Sequence, residues 1–165
     1  MKTLILFLLI GITATAQIEI GLYQDVKLAT MKDDAGNDPF TTDLLLTVKL
    51  INQGAYEKWA KSIFVYPLVE YAELNGGTYI RYALGVGYKF KLNKFNISPS
   101  IDYGRIERWG GVYSSFNGLI EVGYMITDNI GLGLLGGLTQ RNDLAYRWKD
   151  KTLTQSFYAG CKYLF

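Results

Sequence analysis

Histidine is absent from the 165 residues, and cysteine occurs once, as Cys161. Without His, the common acyl-transfer arrangements lose their general base. Zinc sites of the usual kind lose their ligands, since one thiol cannot fill a tetrahedral shell. One cysteine also excludes an internal disulfide framework. A carboxylate pair could still act as acid and base, with Asp25, Asp43, Glu70 and Asp102 as candidates. Interior carboxylates more often pair with Lys or Arg, because an unpaired buried charge is costly. Long apolar runs are missing too. After residue 16 nothing approaches the roughly 20 residues a helix needs to cross a bilayer. No basic run stands out, and 17 Lys and Arg nearly balance 15 Asp and Glu. That balance does not suggest a nucleic-acid partner.

What the chain does contain is alternation. Hydrophobic residues make up 49%, with 18 Gly and 13 Tyr. High apolar content in period-two form is a barrel-like profile. The N-terminus carries a different signal. Lys2 is a short basic region, residues 4–12 are apolar, and Ala14-Thr15-Ala16 is an A-x-A site. This order predicts a cleavable signal peptide over residues 1–16, with cleavage before Gln17, and one domain over 17–165. No Cys follows the apolar run, so no lipoprotein anchor is expected.

Eight strands are expected, at about 17–30, 42–51, 62–73, 79–91, 95–105, 113–126, 129–140 and 153–165. Each has about the length of a tilted membrane-spanning strand. One face of each is apolar: Ile18, Ile20, Leu22, Val26 and Leu28 in the first, Tyr82, Leu84, Val86, Tyr88 and Phe90 in the fourth, Ile120, Val122 and Tyr124 in the sixth, Leu132, Leu134 and Leu138 in the seventh. These faces carry no Asp, Glu, Lys or Arg. A Lys or Arg there would cost about 2–4 kcal/mol at a bilayer midplane, so lipid would exclude it. The opposite faces hold Glu19, Asp25, Lys27, Asp43, Lys49, Glu70, Arg81, Lys89, Asp102, Glu121 and Lys162. They also hold many glycines, among them Gly85, Gly87, Gly123 and Gly160. A soluble barrel alternates as well, with its polar face in water. Glycine weakens an exposed strand but suits a crowded site, and eight strands leave little internal room. Small residues with charges of both signs therefore predict a packed, paired interior. Two salt-bridge clusters are expected there: Glu19, Lys49, Lys89, Glu121 and Lys162 toward one end, and Asp25, Lys27, Asp43, Glu70, Arg81 and Asp102 toward the other.

Connections alternate in length. Short ones fall at Leu92-Asn93-Lys94 and Thr127-Asp128, long ones at 31–41 and 141–152, and a moderate one at 106–112. The link at 52–61 is long for its side and the one at 74–78 short. Pro67 and Pro99 each remove a ladder donor, which predicts a bulge or weak pairing.

The last residues complete the pattern. Phe157, Ala159, Cys161, Tyr163 and Phe165 share one strand face, and the chain stops on the aromatic. This ending resembles the closing strand of Gram-negative outer-membrane barrels, where a terminal aromatic, here Phe165 with Tyr163, addresses the insertion machinery. With the strand count, it is closest to small eight-stranded barrels of the OmpX or OmpA-transmembrane type. The resemblance implies an all-β, eight-stranded antiparallel up-and-down transmembrane barrel in the outer membrane, with both termini periplasmic and long loops outside. It rests on pattern alone and transfers no functional residues. Barrel enzymes that deacylate lipids or cleave peptides resemble His-dependent systems, which this chain does not match.

Two loop clusters remain. The segment from Lys32 through Asp33, Asp34, Asn37 and Asp38 to Pro39 has oxygens that suit Ca²⁺. Its residues are equally ordinary turn formers, its spacing is not that of an EF-hand, and no metal or cofactor is expected. Arg105, Arg108, Trp109, Arg141, Tyr146, Arg147, Trp148, Lys149 and Lys151 set basic groups beside aromatics. They could contact lipopolysaccharide phosphates, a surface protein or a phage tail, or form a solvated loop above an aromatic girdle. The expected function is a non-enzymatic barrel presenting its loops for envelope structure or surface interaction. A narrow or gated channel is the alternative, and an envelope-modifying enzyme comes third.

Overall fold

The computed structural model describes residues 16–31, 36–52, 61–145 and 152–165. The expected signal segment and the link at 53–60 lie outside them. Eight antiparallel strands close into a barrel in sequence order: β1 (Ala16–Asp25), β2 (Asp43–Asn52), β3 (Lys61–Leu74), β4 (Gly77–Leu92), β5 (Phe95–Arg108), β6 (Gly111–Met125), β7 (Ile130–Gln140) and β8 (Leu153–Leu164). β1 and β8 seal the cylinder, with Leu22 opposite Cys161. Phe165 N–H donates to Ile18 O at 2.9 Å, which ties the last residue to the first strand.

The alternation of the sequence becomes an inside and an outside. Along β4, Tyr82, Leu84, Val86, Tyr88 and Phe90 are exposed, while Arg81, Ala83, Gly87 and Lys89 are buried. Leu84 is 72% exposed and Arg81 is 0% exposed. A water-soluble barrel would show the reverse, since apolar side chains leave water and charges seek it. The exposed apolar surface is a continuous belt, which identifies the outside as a lipid face. Aromatic pairs mark its edge at the end bearing the chain termini: Tyr88 with Phe90 at 6.0 Å, Phe95 with Tyr124 at 4.9 Å, and Tyr163 with Phe165 at 4.6 Å between centroids. At the loop end, the Tyr82 hydroxyl donates to Glu107 at 2.7 Å and the Tyr71 hydroxyl to Glu73 at 3.0 Å. A ring in hydrocarbon with its hydroxyl on a polar group is the usual interfacial arrangement of tyrosine.

Inside, glycine makes room for rings. A Cβ on Gly85 would overlap the Tyr66 ring, and one on Gly87 the Phe64 ring. Those rings, with Tyr23, Leu45, Leu68, Leu119 and Leu135, fill the middle of the lumen. The cylinder is therefore solid there rather than open, as the narrow bore of eight strands dictates.

Three details depart from the sequence expectation. First, β1 ends at Asp25, and residues Val26–Thr30 form a helical turn, α1. The Asp25 carboxylate caps it by accepting from Leu28 N–H at 2.9 Å, and Thr30 Oγ1 donates back to Val26 O at 2.7 Å. Leu28 thus turns inward and Lys27 outward, the reverse of the strand assignment. Second, no loop occupies 106–112, because β5 and β6 run on to a two-residue turn at Trp109-Gly110. Both turn residues have positive φ, 53° and 73°, the twist that matches a hairpin. Third, β3 and β4 run further than expected, to a turn at Asn75-Gly76. Strands β3–β6 therefore have 14 to 16 residues against 10 to 12 for the rest, and form a tall wall on one side. The internal prolines weaken the pairing beside them, as expected, and neither makes a bulge. The β2–β3 ladder skips from Thr47↔Leu68 to Leu50↔Val65 in unchanged register, and β4–β5 skips from Gly87↔Ser100 to Phe90↔Ile97. Two residue pairs are missing at each proline, and the pairing resumes beyond them.

Candidate functional site

Three polar assemblies stand on this scaffold. The first fills the lumen at the end bearing the chain termini, where β1, β2, β4, β6 and β8 each turn one charge inward. Glu19 accepts from Lys49 at 2.9 Å and from Lys89 at 2.6 Å. Glu121 accepts from Lys162 at 2.5 Å and also from Lys49, which joins the two halves. Lys162 completes its shell on Asn96 Oδ1 at 2.8 Å. All five charged groups of the expected cluster meet, at exposures of 1–9%. Gly123 leaves room beside them, since a Cβ there would displace the Lys162 ammonium.

The second assembly lies above the aromatic layer. Arg81 donates to Asp102 and, through Nε, to Ser115 Oγ at 2.9 Å. Glu70 stands 3.9 Å from the Arg81 guanidinium and accepts from the hydroxyls of Tyr79 at 3.1 Å and Tyr158 at 2.9 Å. Tyr66 donates to Asp102 at 3.1 Å. Only Glu70, Arg81 and Asp102 of the expected second cluster join here. Asp25 caps α1, Lys27 points to solvent, and Asp43 makes no salt bridge among the described residues. Sequence reasoning passed over the three tyrosines, because a hydroxyl carries no charge to count.

The third assembly holds the loop after β7. Residues Asn142–Ala145 form a short helix, α2. Asp143, at 0% exposure, receives two hydrogen bonds from Arg141, at 2.8 and 2.7 Å, and stands 3.5 Å from Arg108. Arg141 also lies 4.2 Å over the Tyr79 ring, and Arg108 lies 4.1 Å over Trp109. Asn142 pins the helix to β6 through Ser114 O at 2.9 Å. Two expected ligand-contact residues, Arg108 and Arg141, are thus committed to an internal carboxylate. Asp143 is not legible as an anchor in the sequence, because a lone loop carboxylate reads as solvated, although Arg141 two positions away is a cue. Arg105 and Trp109 are the expected contact residues that remain on the outer surface, and the Trp109 indole donates to Gly76 O at 2.5 Å. Tyr146, Arg147, Trp148, Lys149 and Lys151 lie outside the described residues, as do Lys32, Asp33 and Asp34. Asn37 is buried and accepts from Asn75 N–H, joining the first loop to the β3–β4 turn. No group of three His, Cys, Asp or Glu among the described residues is placed to hold a metal ion.

The anchor has a pH signature. Burial pushes the Asp143 carboxyl up, but the Arg141 hydrogen bonds and charge outweigh it and hold the group below its ordinary 3.8. A lowered carboxylate stabilises the fold above its unfolded pKa and loses that contribution as pH falls through the folded value. The loop should therefore stay docked at neutral pH and loosen only in strong acid. Asp143→Asn should release it at every pH, weakening local protection by about 1–3 kcal/mol. Hydrogen exchange at residues 142–145 reads this directly. Unchanged protection at pH 7 would mean the anchor carries no weight.

No known protein family matches the chain, and no curated protein does. Among solved structures, the chain is similar to the Yersinia pestis outer membrane protein Ail, determined in a phospholipid bilayer nanodisc, with a TM-score of 0.58 at 12% identity. The match covers 91% of this chain and 98% of that one. At such identity the likeness concerns the fold, and the fold is that of a small eight-stranded transmembrane barrel of the outer-membrane type.

Proposed function

We propose that the chain is a non-enzymatic outer-membrane protein that presents its loop end to the exterior and contacts the phosphates of lipopolysaccharide there. The observation that supports this most is the division of the molecule: the lumen is filled by ion pairs and rings, while the tall β3–β6 wall carries exposed Arg105 and half-buried Trp109 toward its loop end. A filled lumen leaves the outer rim as the working surface. In this reading the end bearing the termini is periplasmic. Tyr163 and Phe165, exposed at 44% and 65%, are the address read during insertion. Tyr146, Arg147, Trp148 and Lys149 add basic and aromatic groups to the same proposed contact set.

Arg105 follows Tyr103 on the outer face of β5, two residues nearer the loop end, and a guanidinium there suits a headgroup phosphate. Arg105→Ala with Trp109→Ala is expected to reduce binding of lipopolysaccharide vesicles about tenfold while the heat-dependent gel mobility of a folded barrel is retained. Removal of residues 146–151, which leaves Arg141 and Asp143 in place, should weaken binding further. Equal binding by all variants would sink this reading. Planar-bilayer recording should show no unitary conductance.

A further inference from the structure

At the loop end a recess of about 370 Å³ opens into the barrel mouth beneath α1 and α2. Three acids line it, from three consecutive strands. Gln24↔Leu44 sets Asp25 beside Asp43, while Asp43↔Ala72 and Leu45↔Glu70 set Glu70 one inward step below. Two of the three are engaged: Asp25 caps α1 and Glu70 accepts from two tyrosine hydroxyls. Asp43 differs. It is 6% exposed and its buried Oδ1 receives no hydrogen bond. Lys27, Arg108 and Arg141 line the recess as well, but Arg141 and Arg108 face Asp143 and Arg81 bonds Asp102, and none of them donates to Asp43 Oδ1. Lys27 is exposed on the recess wall. A carboxylate oxygen withdrawn from water needs a donor, and no described side chain supplies one to Asp43 Oδ1.

The geometry points to a binding site for a small aliphatic amine, whose ammonium group donates to Asp43 Oδ1 in the field of Asp25 and Glu70. A compact ammonium with three donors fits a single free oxygen, whereas a guanidinium fork is matched to both oxygens of one carboxylate. A calcium ion takes six to eight oxygens, and no three acids among the described residues are placed to hold a metal. Leu28, Leu74 and Leu144 also line the recess and would cover a methylene chain.

Butylamine titrated into the folded full chain in phospholipid nanodiscs, followed by calorimetry, is expected to saturate at one site. Asp43→Asn should weaken it about tenfold or more, the loss of one charge-assisted hydrogen bond. Thr154→Lys, which brings a tethered ammonium to the recess wall, should have the same effect with every acid intact. It decides the matter if Asp43→Asn does not fold. Glu73→Gln, on the outer face, should bind as the parent does. Butanol should not bind. Overturning results are the absence of saturable binding by the parent, equal binding by Asp43→Asn or Thr154→Lys, equal binding of butanol, or displacement of butylamine by equimolar calcium.

Discussion

Glu121→Leu is expected to lower the unfolding free energy by about 3–5 kcal/mol, the cost of leaving buried partner charges uncompensated. The carboxylate is 2% exposed and joins Lys162 to Lys49. Without it, Lys49, Lys89 and Lys162 share Glu19 alone, and Glu19 lies 3.9 Å from Lys162. Much of the loss comes from the lysines left behind, so removing one of them should help. Glu121→Leu combined with Lys162→Met restores two cations around one acid and should recover part of the deficit. Such non-additivity is the mark of groups in one network. Urea unfolding in lipid vesicles, followed by tryptophan fluorescence, measures both. Were Glu121→Leu within about 0.5 kcal/mol of the parent, as a solvated surface charge would be, the interior network would not be what holds this end shut.

Leu134→Arg is expected to cost about 2–4 kcal/mol, or to prevent insertion, because the position faces hydrocarbon near the middle of β7. Leu134 is 64% exposed and lies between Leu132 and Leu138 on the outer face. In a water-soluble barrel an exposed Leu→Arg change would be nearly neutral, so the sign of the account rests on the surrounding medium. Leu134→Phe, equally large but apolar, should be tolerated. Refolding yield into vesicles separates the two variants. A nearly neutral Leu134→Arg would remove lipid from the outside of the molecule.

Period two was the legible part. A strand with one face in lipid must alternate, so Leu84 against Arg81, or Val122 against Glu121, fixed which side each residue takes. The five-membered cluster around Glu19 was readable for the same reason, since position along a strand sets depth in the lumen. Ends were less legible. Val26 and Leu28 continue the alternation of β1 into a turn of helix because local capping by Asp25 competes with a ladder whose partner, β2, begins only at Asp43. The tip at Trp109 was hidden because a tryptophan with positive φ is an unusual turn residue. Asp143, Tyr79 and Tyr158 were hidden because their partners come from distant strands, and no local pattern reports a contact across the barrel. The isolation of Asp43 belongs to the same class, being a property of what fails to reach it.

Nitroxide labels at single cysteines, in a Cys161→Ser background, test the orientation of the wall most directly. Labels at Val122 and Leu134 should be relaxed by lipid-dissolved oxygen and shielded from a water-soluble nickel chelate, while labels at Leu119 and Leu135, buried at 5% and 3%, should be shielded from both. Nickel reaching Val122 and Leu134 freely, with oxygen showing no preference for them, would put water where the account requires hydrocarbon.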